Sequence, residues 1–262
     1  MFSPISDRNA HPSAPRLPAT LLLDLLRHQR YGVEYQPIID ITVNEVVGYE
    51  ALARFYAADG QPLAPKAVFD ALHASPLSLY QVEYDMKALQ LAYAPAGAEQ
   101  LFVNLDPDAY GVTAQEAEDP LLNLMAGRPG LVVEIIENSD VSDAQLSQQL
   151  AQAFAARGIG LALDDIGAPN SMISLDVMME VAWFKFDRSW LARARDSKHR
   201  AALQHLIAFA HECSCKVILE GVERPEDLAL AHTLKVDCVQ GFLYRKQFVT
   251  LSQLPRRPWG LP

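Results

Sequence analysis

A recurring set of polar residues stands where apolar runs stop, and their types suit one kind of chemistry. Glu50 closes EVVGYE, Asn104 closes LFVN, Glu134 closes LVVE, the pair Asp164–Asp165 closes LALDD, Glu220 closes KVILE and Gln240 closes DCVQ. Lys185 and Asp187 alternate with aromatic residues in WFKFD, so a strand there turns both to one side. A single polar residue after a strand is commonly a solvated loop start; the repetition over nearly every run is what points to a site. Carboxylates gathered in one place repel each other and are costly to hold together without cations. An oxygen donor set with no Cys or His suits Mg2+ or Mn2+ better than zinc. The adjacent aspartates suggest two ions, which at about 3.5–4 Å apart clamp the attacking and leaving oxygens of an in-line phosphoryl displacement. Lys185 would then hydrogen-bond the attacking water or steady charge on the phosphorus oxygens. A structural ion pair with Asp187 is its other reading.

Such convergence needs elements that bring distant runs together. From Val33 onward, strand-like runs (GVEYQPII, EVVGYEAL, QLFVNL, GLVVEII, GIGLALDD, VAWFKFD, KVILEGV, DCVQGFL) alternate with segments of helical apolar spacing. The helical segments are AVFDALHA, VEYDMKALQLAYA, AQLSQQLAQAFAA, RAALQHLIAFAHE and PEDLALAHTL. Asp140 or Ser142 can cap the third of these, Gly158 can close it, and Pro225 suits the first turn of the last. This alternation implies βαβ units and a largely parallel sheet. About eight strands in one domain favour an α/β fold of the modified (β/α)8 TIM-type barrel class, in which strand C-terminal ends share one face and catalytic residues come from several strands. Only ITVN joins the first two runs, a length that suits antiparallel pairing, so one strand is expected to run against the rest.

Composition narrows the function. The 262 residues carry a net charge of −10 and a pI near 5.1. This argues against a broad duplex-nucleic-acid binder, which needs a basic face. An anionic ligand then requires metal ions or a few placed arginines to reverse the sign locally. Three cysteines do not make a disulfide framework, and His211, Cys213 and Cys215 lack a second ligand pair of zinc-like spacing. With no apolar run of membrane-spanning length and no cleavable leader pattern, the cytoplasm is the expected compartment. Residues 1–16 read as a flexible N-terminal tail, 17–255 as the barrel domain and 256–262 as a C-terminal tail.

These motifs, in this order, resemble the EAL-domain family of cyclic-di-GMP phosphodiesterases. Glu50-Ala51-Leu52 with Arg54 is the signature, preceded by Tyr35-Gln36-Pro37-Ile38. It is followed by FVNLD, EIIE with Glu134 and Glu137, DDIG, KFD, EGVE with Glu220 and Glu223, and QGF with Gln240. The resemblance covers roughly residues 20–250 and implies a metal-dependent hydrolase that linearises cyclic di-GMP to pGpG. It implies that Glu50, Asn104, Glu134, Asp164, Asp165 and Glu220 hold two Mg2+ or Mn2+ ions, with Lys185 and Asp187 positioning water and Glu220 shared with the catalytic set. It implies that Gln36, Leu52, Arg54, Glu223 and Gln240 line the nucleotide groove, that Glu137 anchors the loop after the paired aspartates, and that Ca2+ inhibits. A homodimer is expected on the same ground; a protein partner has no signature.

Three departures from the family pattern bear on activity. After Asp165 the chain reads Ile166-Gly167-Ala168-Pro169-Asn170-Ser171-Met172, where the family carries Phe-Gly-x-Gly and an aromatic. His73-Ala74 replaces an Ala-Glu pair, and Leu243-Tyr244-Arg245-Lys246-Gln247 replaces a Tyr-x-Phe-Ser-x-Pro tail. Proline fixes φ near −65° where glycine would permit positive values. The sequence therefore leaves two functions open: an active phosphodiesterase, or a weak or inactive EAL domain serving as a cyclic-di-GMP receptor or protein-binding adaptor.

Overall fold

Several strands repeat one small pattern, an apolar residue followed two positions later by a polar one, and a strand turns such a pair to the same side. The pairs are Phe102–Asn104, Val132–Glu134, Ala162–Asp164, Trp183–Lys185, Ile218–Glu220 and Cys238–Gln240. The structure, a computed structural model, describes residues 17–113, 119–136, 150–168, 175–252 and 254.

The strands are β1 (Tyr31–Asp40), β2 (Glu45–Tyr56), β3 (Pro62–Leu63), β4 (Gln100–Asn104), β5 (Leu131–Ile136), β6 (Gly160–Ile166), β7 (Trp183–Phe186), β8 (Lys216–Leu219), β9 (Cys238–Val239) and β10 (Val249–Leu251). β2 and β4 to β9 lie side by side in parallel. β1 closes the ring by pairing antiparallel with both β2 and β9. The barrel thus has eight strands, the eight runs read from sequence, with β1 as the reversed one; β3 and β10 extend β2 and β1 outside the ring. The reversal is made in a tight turn, where Asp40 Oδ1 accepts the amides of Thr42 and Val43 at 2.7 and 3.3 Å.

Reversal explains why β1 alone carries the pattern backwards, polar Gln36 before apolar Ile38. In seven of the eight barrel strands the apolar member then faces one end of the interior; β2 has Gly48 at that position. Ile38, Phe102, Val132, Ala162, Trp183, Ile218 and Cys238 form one buried cluster, with Phe102 edge-on to Trp183 at 5.2 Å between ring centroids. The intervening residues, such as Val103, Val133, Leu163, Phe184 and Val217, belong to the larger core beneath the helices. Each large aliphatic or aromatic side chain buried this way stabilises the barrel by about 1.5–3 kcal/mol.

Helices at Pro65–Leu72, Pro76–Ala92, Ser197–Glu212 and Pro225–Leu234, and helical residues 150–155, lie where the apolar spacing indicates. Gly158, with φ of 68°, follows the helical stretch it was expected to close. The Asp140 and Ser142 caps lie outside the described residues. Among the described residues, four short helices have no sequence counterpart in the periodic reading: Pro107–Thr113, Pro120–Ala126, Leu175–Met178 and Ser189–Arg193. One or two turns are too few to display a 3.6-residue period. No helix among the described residues is long and apolar enough to cross a membrane.

The helix at 76–92 positions the site directly. Gln90 donates to the Ala51 carbonyl at 2.7 Å, and Glu83, ion-paired with Lys87 in the core, accepts the Asp106 amide at 3.2 Å. These contacts grip the backbone just beyond Glu50 and Asn104.

Candidate functional site

Above the apolar layer, the polar members of the pairs converge on one lysine. Lys185 is fully buried, and its Nζ lies 2.5 Å from Glu134, 2.9 Å from Asp164, 2.9 Å from Glu220 and 3.7 Å from Glu50. Four strands besides β7 or their ends supply these carboxylates. Glu50 is fixed further by Asn104 Nδ2 at 3.1 Å and Gln240 Nε2 at 2.5 Å, and Gln240 also reaches Gln36. Asn104 therefore donates one of its two amide hydrogens to Glu50, and its carbonyl oxygen takes no part in that bond. Neither oxygen of Glu134 nor Asp164 Oδ1 receives an aligned hydrogen bond among the described residues, although both groups are within ion-pair distance of Lys185. The lysine is the partner of these carboxylates, and its alternative pairing with Asp187 is not what the geometry shows; Asp187 instead accepts the Ser189 amide at 2.9 Å.

Two consecutive residues of a regular strand point to opposite faces, so Asp164 and Asp165 can share a cleft only if the strand breaks. It does. Register between β6 and β7 shifts between Leu163 and Ile166, and Asp165 takes a left-handed φ of 56°. That conformation costs a non-glycine residue of order 1 kcal/mol or more. It turns both aspartates into the cleft, where ligand atoms of Asp164, Asp165 and Glu220 all lie within 4.8 Å of one another. The next residues are clamped: the Trp190 indole donates to the Ile166 carbonyl at 2.8 Å, and Arg193 donates to the Gly167 carbonyl at 2.6 Å.

Five carboxylates (Glu50, Glu134, Asp164, Asp165, Glu220) surround one ammonium, and their proton affinities reflect the imbalance. Burial, then the Glu50 charge, holds Glu134 well above the usual carboxylate range. Burial also raises Asp164, pushes Glu220 up to about 8, and, with Asp164 and Asp187, pushes Asp165 up to about 6. Glu50 goes the other way: burial would raise it, but Lys185 and the hydrogen bonds of Gln240 and Asn104 outweigh this. Lys185 is held well above its ordinary value because the four carboxylates outweigh the burial that would lower it. Orphaned buried carboxylate oxygens, all hard donors and held near one another, fit divalent cations of the Mg2+ or Mn2+ kind.

The site opens into a cleft of about 340 Å3, in which Gln36, Glu223 and Gln240 join Glu50, Asp164, Asp165, Asp187 and Glu220. Leu52 and Arg54 do not line it. Arg54 forms an ion pair with Glu34 at 2.7 Å and donates to its own neighbour's carbonyl, Ala53 O, at 2.8 Å. Glu34 is held below its ordinary value; burial would raise it, but bonds from Gln36 and Arg54 prevail. Sequence reading missed Arg188, Gly221 and Phe242, which also line the cleft. Gly221 and Phe242 lie inside the EGVE and QGF motifs and Arg188 directly follows KFD, and that placement was the available signal. Glu137 and the altered stretch Pro169–Met172 lie outside the described residues. His211 and Cys215 take separate partners, Asp237 at 3.0 Å and the Val181 carbonyl at 3.1 Å.

A family model described as EAL domain matches residues 20–247. Cyclic di-GMP phosphodiesterase NbdA of Pseudomonas aeruginosa is 26% identical over 237 residues, covering 86% of this chain and 30% of that protein. The chain spans 29–45% of the length of the curated relatives it matches. Among solved structures, an EAL domain protein from Listeria monocytogenes superposes with a TM-score of 0.70 at 22% identity, covering 91% of this chain and 96% of that one. The manganese/cy-diGMP complex of Klebsiella pneumoniae BlrP1 gives 0.67 at 21%, covering 87% and 56%. Likeness at these identities speaks for the modified barrel.

Proposed function

The chain belongs to the EAL domain family, and from that premise we propose that it is a metal-dependent phosphodiesterase that hydrolyses cyclic di-GMP to linear pGpG. The observation that carries the reading is the convergence of Glu50, Glu134, Asp164 and Glu220 on Lys185, with Asp165 turned in beside them by a strained bulge. Glu50, Asn104, Glu134, Asp164, Asp165 and Glu220 would hold two Mg2+ or Mn2+ ions. When bound, such ions supply Lewis acidity toward a phosphodiester and offset its charge. Ca2+ would fill the same oxygens without supporting turnover.

The chain's own groups divide the remaining work. Asp187, fixed by the Ser189 amide, faces the cleft and can accept a proton from an attacking water. Lys185, fully buried, keeps its proton among the carboxylates and offsets their charge beneath the place where the phosphodiester and the attacking water would sit. Gln36, Glu223 and Gln240 offer amide and carboxylate groups to the edges of a guanine base. Two relatives support the ligand and the metal: NbdA is named a cyclic di-GMP phosphodiesterase, and BlrP1 was solved with manganese and cy-diGMP.

The test is purified, folded protein incubated with cyclic di-GMP and Mg2+ or Mn2+, with products separated by chromatography. pGpG is the expected product; its absence at every metal concentration overturns the reading. A second reading, a cyclic-di-GMP receptor or adaptor, draws on Lys185, whose ammonium already neutralises part of the carboxylate set, and on the sequence Pro169–Met172. Calorimetry that records nucleotide binding without turnover favours it.

A further inference from the structure

A cyclic dinucleotide brings two phosphates into a cleft walled by six carboxylates: Glu50, Asp164, Asp165, Asp187, Glu220 and Glu223. Cations held by the paired aspartates and their neighbours would offset the phosphate being cleaved. The other phosphate needs a positive partner of its own, because an unneutralised anion in acidic surroundings is repelled. Arg54, the arginine of the signature, is already spent on Glu34 and on a backbone carbonyl, and it does not line the cleft. Among the described residues, Arg188 is the one basic side chain that does.

Its setting is built. Gly221, directly after Glu220, has a φ of +71°, and a Cβ placed there would lie 2.3 Å from Arg188 Cβ and 3.5 Å from Arg188 Cδ. Only a glycine gives room for the arginine stem to lie along this backbone, and only a glycine adopts that φ without strain. Arg188 is thereby carried along the strand end that bears Glu220. Despite six carboxylates in the same cleft, its side chain makes no ion pair or hydrogen bond among the described residues. An exposed guanidinium kept free beside so many acids has its five donors available, in the planar fork that matches a phosphate.

We infer that Arg188, seated on Gly221, binds the second, non-scissile phosphate of a cyclic dinucleotide. This rests on the proposed ligand. The test is calorimetry in Ca2+, which stops turnover, comparing wild type with Arg188→Ala and Arg188→Lys. Cyclic di-GMP and GpG, which carries a single bridging phosphate, serve as ligands, and each protein is also titrated with Mn2+ alone. Arg188→Ala is expected to weaken cyclic di-GMP binding roughly tenfold or more, the loss typical of one charged hydrogen-bonding partner. Binding of GpG and of Mn2+ should be unchanged, and Arg188→Lys should recover part of the loss. If wild type binds cyclic di-GMP and Arg188→Ala binds it equally well, this inference alone fails. A parallel fall in Mn2+ or GpG affinity would also overturn it, since Arg188 would then act through the shape of the site. If wild type binds Mn2+ but no cyclic di-GMP, the proposed function fails and this inference with it.

Discussion

Replacing Lys185 by Met removes one charge from the middle of the site at little change in volume. The ammonium it deletes sits 2.5–2.9 Å from three carboxylates, two buried and one half-buried, and 3.7 Å from a fourth. At an effective dielectric near 20, one pair of unit charges 2.9 Å apart attracts by about 6 kcal/mol. Desolvation of the buried ions offsets much of this, so the measurable loss on removing one partner is about 3–5 kcal/mol. For a domain of this size each kcal/mol shifts the melting temperature by about 2–4 °C, so Lys185→Met should melt about 6–20 °C lower in EDTA. Saturating Mn2+ should then raise the melting temperature of the variant more than that of wild type, because the ions take over the neutralisation that the lysine provided. Differential scanning calorimetry with and without Mn2+ reads both effects. Equal melting of the two proteins in EDTA would refute the idea that Lys185 balances the carboxylates.

Two further substitutions probe the surroundings. Glu34→Gln should cost about 1–2 kcal/mol at pH 7, the worth of a charge-assisted tie to Arg54, Gln36 and Thr250. Glu34 titrates lower in the folded chain than its ordinary 4.5, so its contribution is present above that value and fades as pH falls through the folded one. Urea midpoints of the two proteins should converge on acidification. Gly167→Ala sets a Cβ 2.4 Å from the Trp190 indole nitrogen at a φ of +79°, and should cost about 2–4 kcal/mol by denaturation followed through tryptophan fluorescence.

What could be read from the residues depended on range. The barrel was legible because eight strand-like runs alternate with helical segments, and most of those runs end in a polar residue, as Glu134 ends LVVE and Glu220 ends KVILE. That one strand runs against the rest was legible from the brevity of ITVN; that it is β1 shows only in the pairing with both β2 and β9. The bulge at Asp165 was not, since adjacent aspartates look the same in a regular strand and a broken one. Lys185 was read as a partner for Asp187 or for water, because sequence shows the neighbour two residues away and not four carboxylates from other strands. The capture of Arg54 by Glu34 follows from the β1–β2 register, in which Gly32 faces Arg54 and Glu34 faces Leu52. Such diagonal neighbours across a hairpin lie within reach of long side chains, and no pattern along one strand announces them. Arg188 was passed over beside Asp187 because one exposed arginine carries no signal until the cleft around it is seen to hold six acids and no other basic side chain among the described residues.

The measurement that bears most directly on the site is Mn2+ binding followed by electron paramagnetic resonance. Wild type should bind two ions per chain and give the spectrum of a spin-coupled pair, and Asp164→Ala should lose that coupling while remaining folded. Failure to bind Mn2+ at millimolar concentration, or a spectrum indifferent to Asp164→Ala, would contradict a metal centre built on these carboxylates.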